Sequence, residues 1–157
     1  MTEPVEPPDR AVLDTSVVIS DGVAPIPGVL AISAVTLAEL HFGVLVAKTS
    51  EVRAERLRRL SILQQHFEAL PVDEAVAVSY GRLAAAVVDA GRQPRRRVMD
   101  LLIAATAHAH GARLYTRNAE DFTAVDFGWV NYLAPGGATI GMQPDMYEYI
   151  YCKALAW

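Results

Sequence analysis

Four acidic residues stand out by where they fall. Asp14 closes the short apolar run Arg10–Asp14 (RAVLD), and Asp121 follows Thr116 by five residues. Glu39 sits among apolar neighbours in Ser33-Ala-Val-Thr-Leu-Ala-Glu39-Leu. Asp100 opens the run Asp100-Leu-Leu-Ile-Ala-Ala-Thr-Ala107. In open parallel sheets, ligands bind outside the carboxyl ends of the strands, so acids that follow strands can meet at one edge. An acid in the first turn of a helix is favoured by the dipole and also projects toward such an edge. Carboxylates gathered in this way repel one another unless something positive is shared between them. Singly, each has a plain explanation: Asp14 a turn acid, Glu39 a solvated helix acid, Asp100 a helix-start acid, Asp121 a loop acid. The weight rests on the joint pattern.

The elements that would position these acids alternate in type. Arg10–Asp14 and Val29–Ile32 read as short buried strands, separated by a Gly/Pro loop from Gly22 to Gly28. Ser33 is placed to cap a helix over 35–48 with Leu37, Leu40, Val44 and Leu45 on its apolar face. A charged amphipathic helix follows over 51–68, with Leu57, Leu60, Ile62, Leu63 and Phe67 as its buried stripe. Arg53, Arg56 and Arg59 lie three apart and share one exposed side; with Arg58 they offer a second basic patch, for which an exposed face pairing with Glu55 is the plainer reading. Leu70–Val72 reads as a strand, 73–90 as a helix ended by Gly91, and Gln93–Arg97 as a basic loop. A buried, alanine-rich helix over 99–110 stops at Gly111, and the strands Ala112–Thr116 and Trp129–Leu133 follow. Apolar strands alternating with helices predict an α/β fold, a three-layer α/β/α sandwich around a parallel sheet.

The chain has 157 residues, a length that suggests one domain, and 52% are hydrophobic, enough for a core. No apolar run reaches the roughly 18 residues of a membrane span. Cys152 is the one cysteine, which excludes an internal disulfide and a cysteine-based zinc site and suits a reducing cytoplasm. The net charge of −4 divides unevenly: −3 from residues 1–9, −1 from 134–157, and none from 10–133. Residues 1–9 read as a flexible acidic lead-in, 10–133 as the domain, and 134–157 as an appendage rich in Gly, Tyr and Trp with no chemistry inferred.

The four acids and their surroundings together resemble the PIN-domain ribonucleases, and among them the VapC toxins of bacterial toxin–antitoxin pairs. The matching elements are Leu13-Asp14-Thr15-Ser16, Thr36-Leu37-Ala38-Glu39-Leu40, Asp100-Leu-Leu-Ile-Ala-Ala-Thr-Ala107, and Leu114-Tyr-Thr116-Arg-Asn118-Ala-Glu-Asp121-Phe122. Each is weak alone, but their order and spacing agree over residues 10–133. The resemblance implies a PIN-like sandwich that cleaves RNA with Mg2+ or Mn2+. By the same resemblance, Asp14, Glu39 and Asp100 take the first three acidic positions and act as catalytic and metal-binding groups. Asp121 is favoured for the fourth; Asn118 and Glu120 compete for it, and Thr116 and Asn118 line the site. Hard dications prefer oxygen ligands and keep several waters, so such a cluster needs no histidine as base. His41, His66, His108 and His110 are read as structural or exposed.

RNA contact needs positive charge. Arg95, Arg96 and Arg97 precede Asp100, and Arg117 precedes Asn118, so these four arginines are candidates for gripping phosphates; solvated basic loops are the plain alternative. With the four site acids set aside, nine acids face thirteen bases in 10–133, which gives a mildly basic surface despite the acidic total. The resemblance also implies a VapB-type antitoxin as partner, a homodimer and no membrane. Two other readings stand beside it. One is a catalytically silent PIN-fold binding module. The other is a Mg-dependent phosphohydrolase of the haloacid dehalogenase type, which needs an acid where Ser16 stands.

Overall fold

The structure is a computed structural model, and the residues it describes are 9–20, 23, 26, 28–118 and 130–132. Five parallel strands form one sheet: β1 (Arg10–Leu13), β2 (Val29–Ser33), β3 (Glu68–Leu70), β4 (Arg113–Thr116) and β5 (Val130–Tyr132), in the order β3-β2-β1-β4-β5. The helices are α1 (Thr15–Val18), α2 (Ala34–Leu45), α3 (Ser50–His66), α4 (Glu74–Asp89) and α5 (Val98–Ala109), with a 3-10 turn over Pro94–Arg97. β1 is central and pairs with β2 and β4 at once.

Its two faces feed two cores, as a strand buried on both sides must. Ala11 and Leu13 pack with Val17, Ile32, Leu40, Leu60 and Leu63, under α1, α2 and α3. Val12 packs with Leu83, Val87, Leu101, Ile103 and Leu114, under α4 and α5. This is the α/β/α sandwich expected. Gly28 opens β2 at φ +100, and a Cβ there would lie 2.0 Å from the Asp9 carbonyl oxygen. Only glycine fits that approach, which aligns β2 on β1.

Three of the helix starts, those of α2, α3 and α4, are capped by side chains. Ser33 is fully buried; its Oγ accepts the Val35 N–H at 3.1 Å and lies 3.2 Å from Thr106 Oγ1 on α5. Thr49 caps α3 through the Val52 N–H, and Asp73 caps α4 through the Val76 N–H. At the other end of α2, Arg53 and Arg56 of α3 donate to the carbonyls of Leu45 and Gly43. These are among the orphan acceptors of that helix terminus.

Several local expectations shift. The third strand is Glu68–Leu70 rather than Leu70–Val72, and the basic segment before α5 is a 3-10 turn rather than a loop. Short strands carry little periodicity, so their edges are set by pairing, here Ser33 opposite Leu70. Leu45 and Leu57, expected in buried stripes, are 70% and 51% exposed; Phe42 and Val46 are open as well. The arginine row of α3 is not uniformly outward: Arg53 and Arg56 are drawn to α2, while Arg58 and Arg59 pair with Glu55 as expected, Arg59 at 2.7 Å. Hydrogen bonds from Arg58 foremost, with Arg59 adding to them, hold the Glu55 carboxyl down at about 2. Residues 133–157, and residues 1–8 of the expected lead-in, lie outside the described residues.

A prediction follows from the unequal burial of the caps. Ser33→Ala should cost about 1–2 kcal/mol in urea unfolding, because it strips a cap and orphans a buried N–H. Thr49→Ala, at an exposed cap, should cost about 0.5–1 kcal/mol. Equal losses would mean that the buried Ser33–Thr106 contact contributes nothing.

Candidate functional site

The carboxyl edge of β1 is where the chain turns sharply. Asp14 takes the N-cap position of α1 in extended conformation, yet its side chain makes no cap bond. The turn is closed by the backbone instead, with the Val17 and Val18 N–H groups on the Asp14 carbonyl and the Asp14 N–H on the Tyr115 carbonyl at 2.9 Å. That leaves the carboxylate, in a residue only 4% exposed, to be satisfied from other sources.

Two hydroxyls satisfy one of its oxygens. Ser16 Oγ donates to Asp14 Oδ2 at 2.6 Å, and Thr116 Oγ1, from the end of β4, donates to the same oxygen at 2.9 Å. Each hydroxyl in turn accepts a backbone N–H at 3.0 Å, Ser16 from Arg117 and Thr116 from Asn118. The β4 exit is thereby tied to the β1 exit, as neighbouring parallel strands allow. Glu39 projects from α2, half-buried, and accepts a hydrogen bond from Thr15 Oγ1 through Oε2. Thr36, one turn before Glu39 and fully buried, places its hydroxyl 3.2 Å from that of Thr15. Asp14 and Glu39 are therefore brought to one place through adjacent residues, Thr15 and Ser16.

Asp100 lies in the first turn of α5, half-buried, where Arg97 holds the cap position. The far end of that helix, at His110, borders a cleft with Arg10, Val29 and Glu68, the first residues of β1, β2 and β3. α5 thus runs against the strands, and its Asp100 end lies toward the edge that holds Asp14. Thr106 meets Ser33 at the end of β2, and six residues of helix rise about 9 Å, which carries Asp100 past that edge. Arg95 and Arg96 are exposed on the 3-10 turn, and Arg97 is half-buried. Asp121 and its competitor Glu120 lie outside the described residues. Asn118 is exposed and enters the network through its backbone N–H.

Thr15, Ser16 and Thr36 received no role from the sequence. Their signal was a hydroxyl directly after Asp14, another two after it, and a third one helical turn before Glu39. The histidines stand apart. His108 Nδ1 meets Ser79 Oγ, His110 Nδ1 lies 2.9 Å from the Thr106 carbonyl oxygen, and His66 Nδ1 lies 2.9 Å from that of Ile62.

Among the described residues, no group of three or more His, Cys, Asp and Glu side chains is close enough to hold a metal ion. A smaller set fits a hard dication. Asp14 Oδ1 has no hydrogen-bond partner among the described residues, although its residue is buried, and a buried charged oxygen without a partner is costly. Mg2+ is commonly held by one or two carboxylates with water completing its shell, and Asp14 and Glu39 are the residues here that could provide them. Millimolar Mg2+ or Mn2+ should raise the melting temperature of the protein, by the equivalent of about 2.7 kcal/mol at a hundredfold excess over the dissociation constant. Asp14→Asn should abolish the rise; an equal rise in that variant would place the ion elsewhere.

Comparison with known proteins adds four findings. The family model described as PIN domain matches residues 11–128. Ribonuclease VapC5 of Mycobacterium tuberculosis is 41% identical over 125 residues, covering 76% of this chain and 90% of that protein. Among solved structures, the VapBC-5 toxin–antitoxin system of the same organism superposes with TM-score 0.69 at 39% identity, over 80% of this chain and 98% of that one. FitAcB of Neisseria gonorrhoeae superposes with TM-score 0.60 at 31% identity, over 73% and 91% of the two chains.

Proposed function

The chain belongs to the PIN domain family, and from that premise we propose that it is the endoribonuclease toxin of a toxin–antitoxin pair, a hydrolase of RNA phosphodiesters. The observation that carries the proposal is the extent of the family match. Residues 11–128 take in Asp14, Glu39, Asp100 and Asp121 together. In this reading 10–133 is the catalytic domain, with 1–9 as lead-in and 134–157 as appendage. The protein works in the cytoplasm, where its substrate is; among the described residues, no helix is long and apolar enough to cross a membrane.

Asp14, Glu39, Asp100 and Asp121 are assigned as the catalytic and metal-binding acids, Asp100 through a coordinated water since it does not close a three-acid group with Asp14 and Glu39, with Thr116 and Asn118 lining the site. Mg2+ or Mn2+, when bound, supplies a Lewis acid for the phosphoryl oxygen and lowers the pKa of a coordinated water. The chain's own contribution is placement. The hydroxyls of Ser16 and Thr116 hold Asp14 in one orientation, and that of Thr15 holds Glu39. The exposed Arg95 and Arg96, with Arg97 and Arg117, are assigned to RNA phosphates, which guanidinium groups can engage bidentately.

A VapB-type antitoxin is the proposed partner, and a homodimer the proposed state of the toxin. The open apolar side chains Phe42, Leu45 and Val46 share one side of the end of α2, a surface that an apolar partner segment would cover.

Purified protein should cut RNA with Mg2+ or Mn2+ and stop on chelation. Asp14→Asn and Asp100→Asn should each lower the rate at least a hundredfold while the circular dichroism spectrum is kept. An Asp100→Asn protein that cleaves like the wild type would remove Asp100 from the site.

A further inference from the structure

We propose that Thr15, Ser16 and Thr116 form a hydroxyl clamp that reserves one oxygen of Asp14 and one of Glu39, so that the site selects small octahedral dications over larger ones. The proposal rests on the reading of this edge as the metal site and adds what makes that site choose.

The asymmetry of the Asp14 carboxylate is the starting point. Oδ2 receives two hydroxyl protons, at 2.6 Å from Ser16 and 2.9 Å from Thr116. Neither hydroxyl is free to turn away. Each already accepts a backbone N–H at 3.0 Å, from Arg117 and Asn118, so its own proton must point elsewhere, and the carboxylate is the acceptor within reach. The two oxygens, Ser16 Oγ and Thr116 Oγ1, lie 3.4 Å apart, both against Oδ2. Oδ1 has no hydrogen-bond partner among the described residues. Glu39 repeats the pattern with one donor: Thr15 Oγ1 occupies Oε2, the Thr36 hydroxyl lies behind it at 3.2 Å, and Oε1 has no such partner among the described residues.

A carboxylate held in this way offers a cation a single oxygen. To be gripped by both, the ion would have to displace two hydroxyl donors at Asp14 and one at Glu39. Ca2+ takes 6–8 oxygens in a loose shell and often grips carboxylates through both oxygens, whereas Mg2+ demands six in near-ideal octahedral geometry and keeps several waters. The clamp therefore penalises the larger ion, and by holding the remaining oxygens in place it favours the smaller one. Thr15, Ser16 and Thr116 are positioning residues, acting through the carboxylates rather than on substrate.

The test is the dissociation constants of Mg2+, Mn2+ and Ca2+ for the full chain without RNA, measured by calorimetry. The proteins are wild type, Ser16→Ala, Thr116→Val and Thr15→Val, with Thr116→Ser and Thr15→Ser as variants that keep the hydroxyl. Loss of such supporting groups typically weakens metal binding 10–100-fold. Mg2+ affinity should fall by about that factor in the hydroxyl-less variants. Ca2+ affinity should hold or rise, so that the Mg2+ preference drops at least tenfold, and the serine variants should restore it. A merely structural role would weaken both ions alike and leave their ratio fixed. If the wild type binds Mg2+ in a manner that Asp14→Asn abolishes, yet the ratio is unchanged in every hydroxyl-less variant, the clamp is overturned and the metal site stands. If the wild type binds no dication, both fall. Should a valine variant fail to fold, Ser16→Ala decides by the same ratio.

Discussion

Burying a carboxylate at the end of a central strand costs several kcal/mol unless its oxygens find donors, and the surroundings of Asp14 can be understood from that requirement. Its own main chain is occupied in closing the turn into α1 and in the ladder to β4, so it cannot help. The donors come from Ser16, two residues on, and from Thr116, more than a hundred residues on, the latter made adjacent by the pairing of β4 with β1. Because each hydroxyl is itself held by an amide, the network forms two short relays from backbone N–H through O–H to carboxylate. Such chains reinforce one another in a low-dielectric setting. The result is a fixed negative group at a rigid sheet edge, with its second oxygen left without a hydrogen-bond partner among the described residues.

That rigidity depends on the two cores. A parallel sheet must be covered on both faces, and β1 places alternate residues into each. The α2–α3 side does this with a helical hairpin in which arginines of α3 complete the carboxyl end of α2. Glu39 is thus presented by a helix anchored at both ends, by Ser33 at its start and by α3 at its finish. Its carboxylate needs only one hydroxyl to fix it.

Much of this was legible in the residues. The order of the strands and longer helices, the parallel sheet and the Ser33 cap follow from apolar runs, helical spacing and a well-placed serine; the four-residue α1 is too short to show a period and was not expected. Asp14 and Asp100 were conspicuous because they close or open an element, Glu39 because its neighbours are apolar, and four motifs in sequence pointed to the family. What was hidden had physical reasons. Leu45 and Leu57 have helical spacing but lie beyond the reach of the core, and periodicity reports a face rather than what covers it. Arg56 looks solvated in a charged helix, yet it is recruited by a carbonyl thirteen residues earlier, a pairing that only the packed hairpin creates. The hydroxyls of Thr15 and Ser16 look like ordinary turn residues until β4 and α2 arrive beside them.

The alanine-rich face of α5 has a consequence of its own. Ala104, Ala105 and Ala107 are fully buried and make the second half of this helix shallow, after the larger buried Leu101 and Ile103. Such a surface has shallow ridges, and ridges are what lock one helix against its neighbours along the axis. Thr106 breaks the smoothness: its hydroxyl lies 2.8 Å from the Leu102 carbonyl oxygen and 3.2 Å from Ser33 Oγ on the sheet. It adds a polar stop to the apolar packing of Leu101 and Ile103, and the height of Asp100 above the strand ends is fixed in part by a contact about 9 Å away from it. Apolar packing gives this helix its place on the sheet, and one buried oxygen helps to set its longitudinal zero.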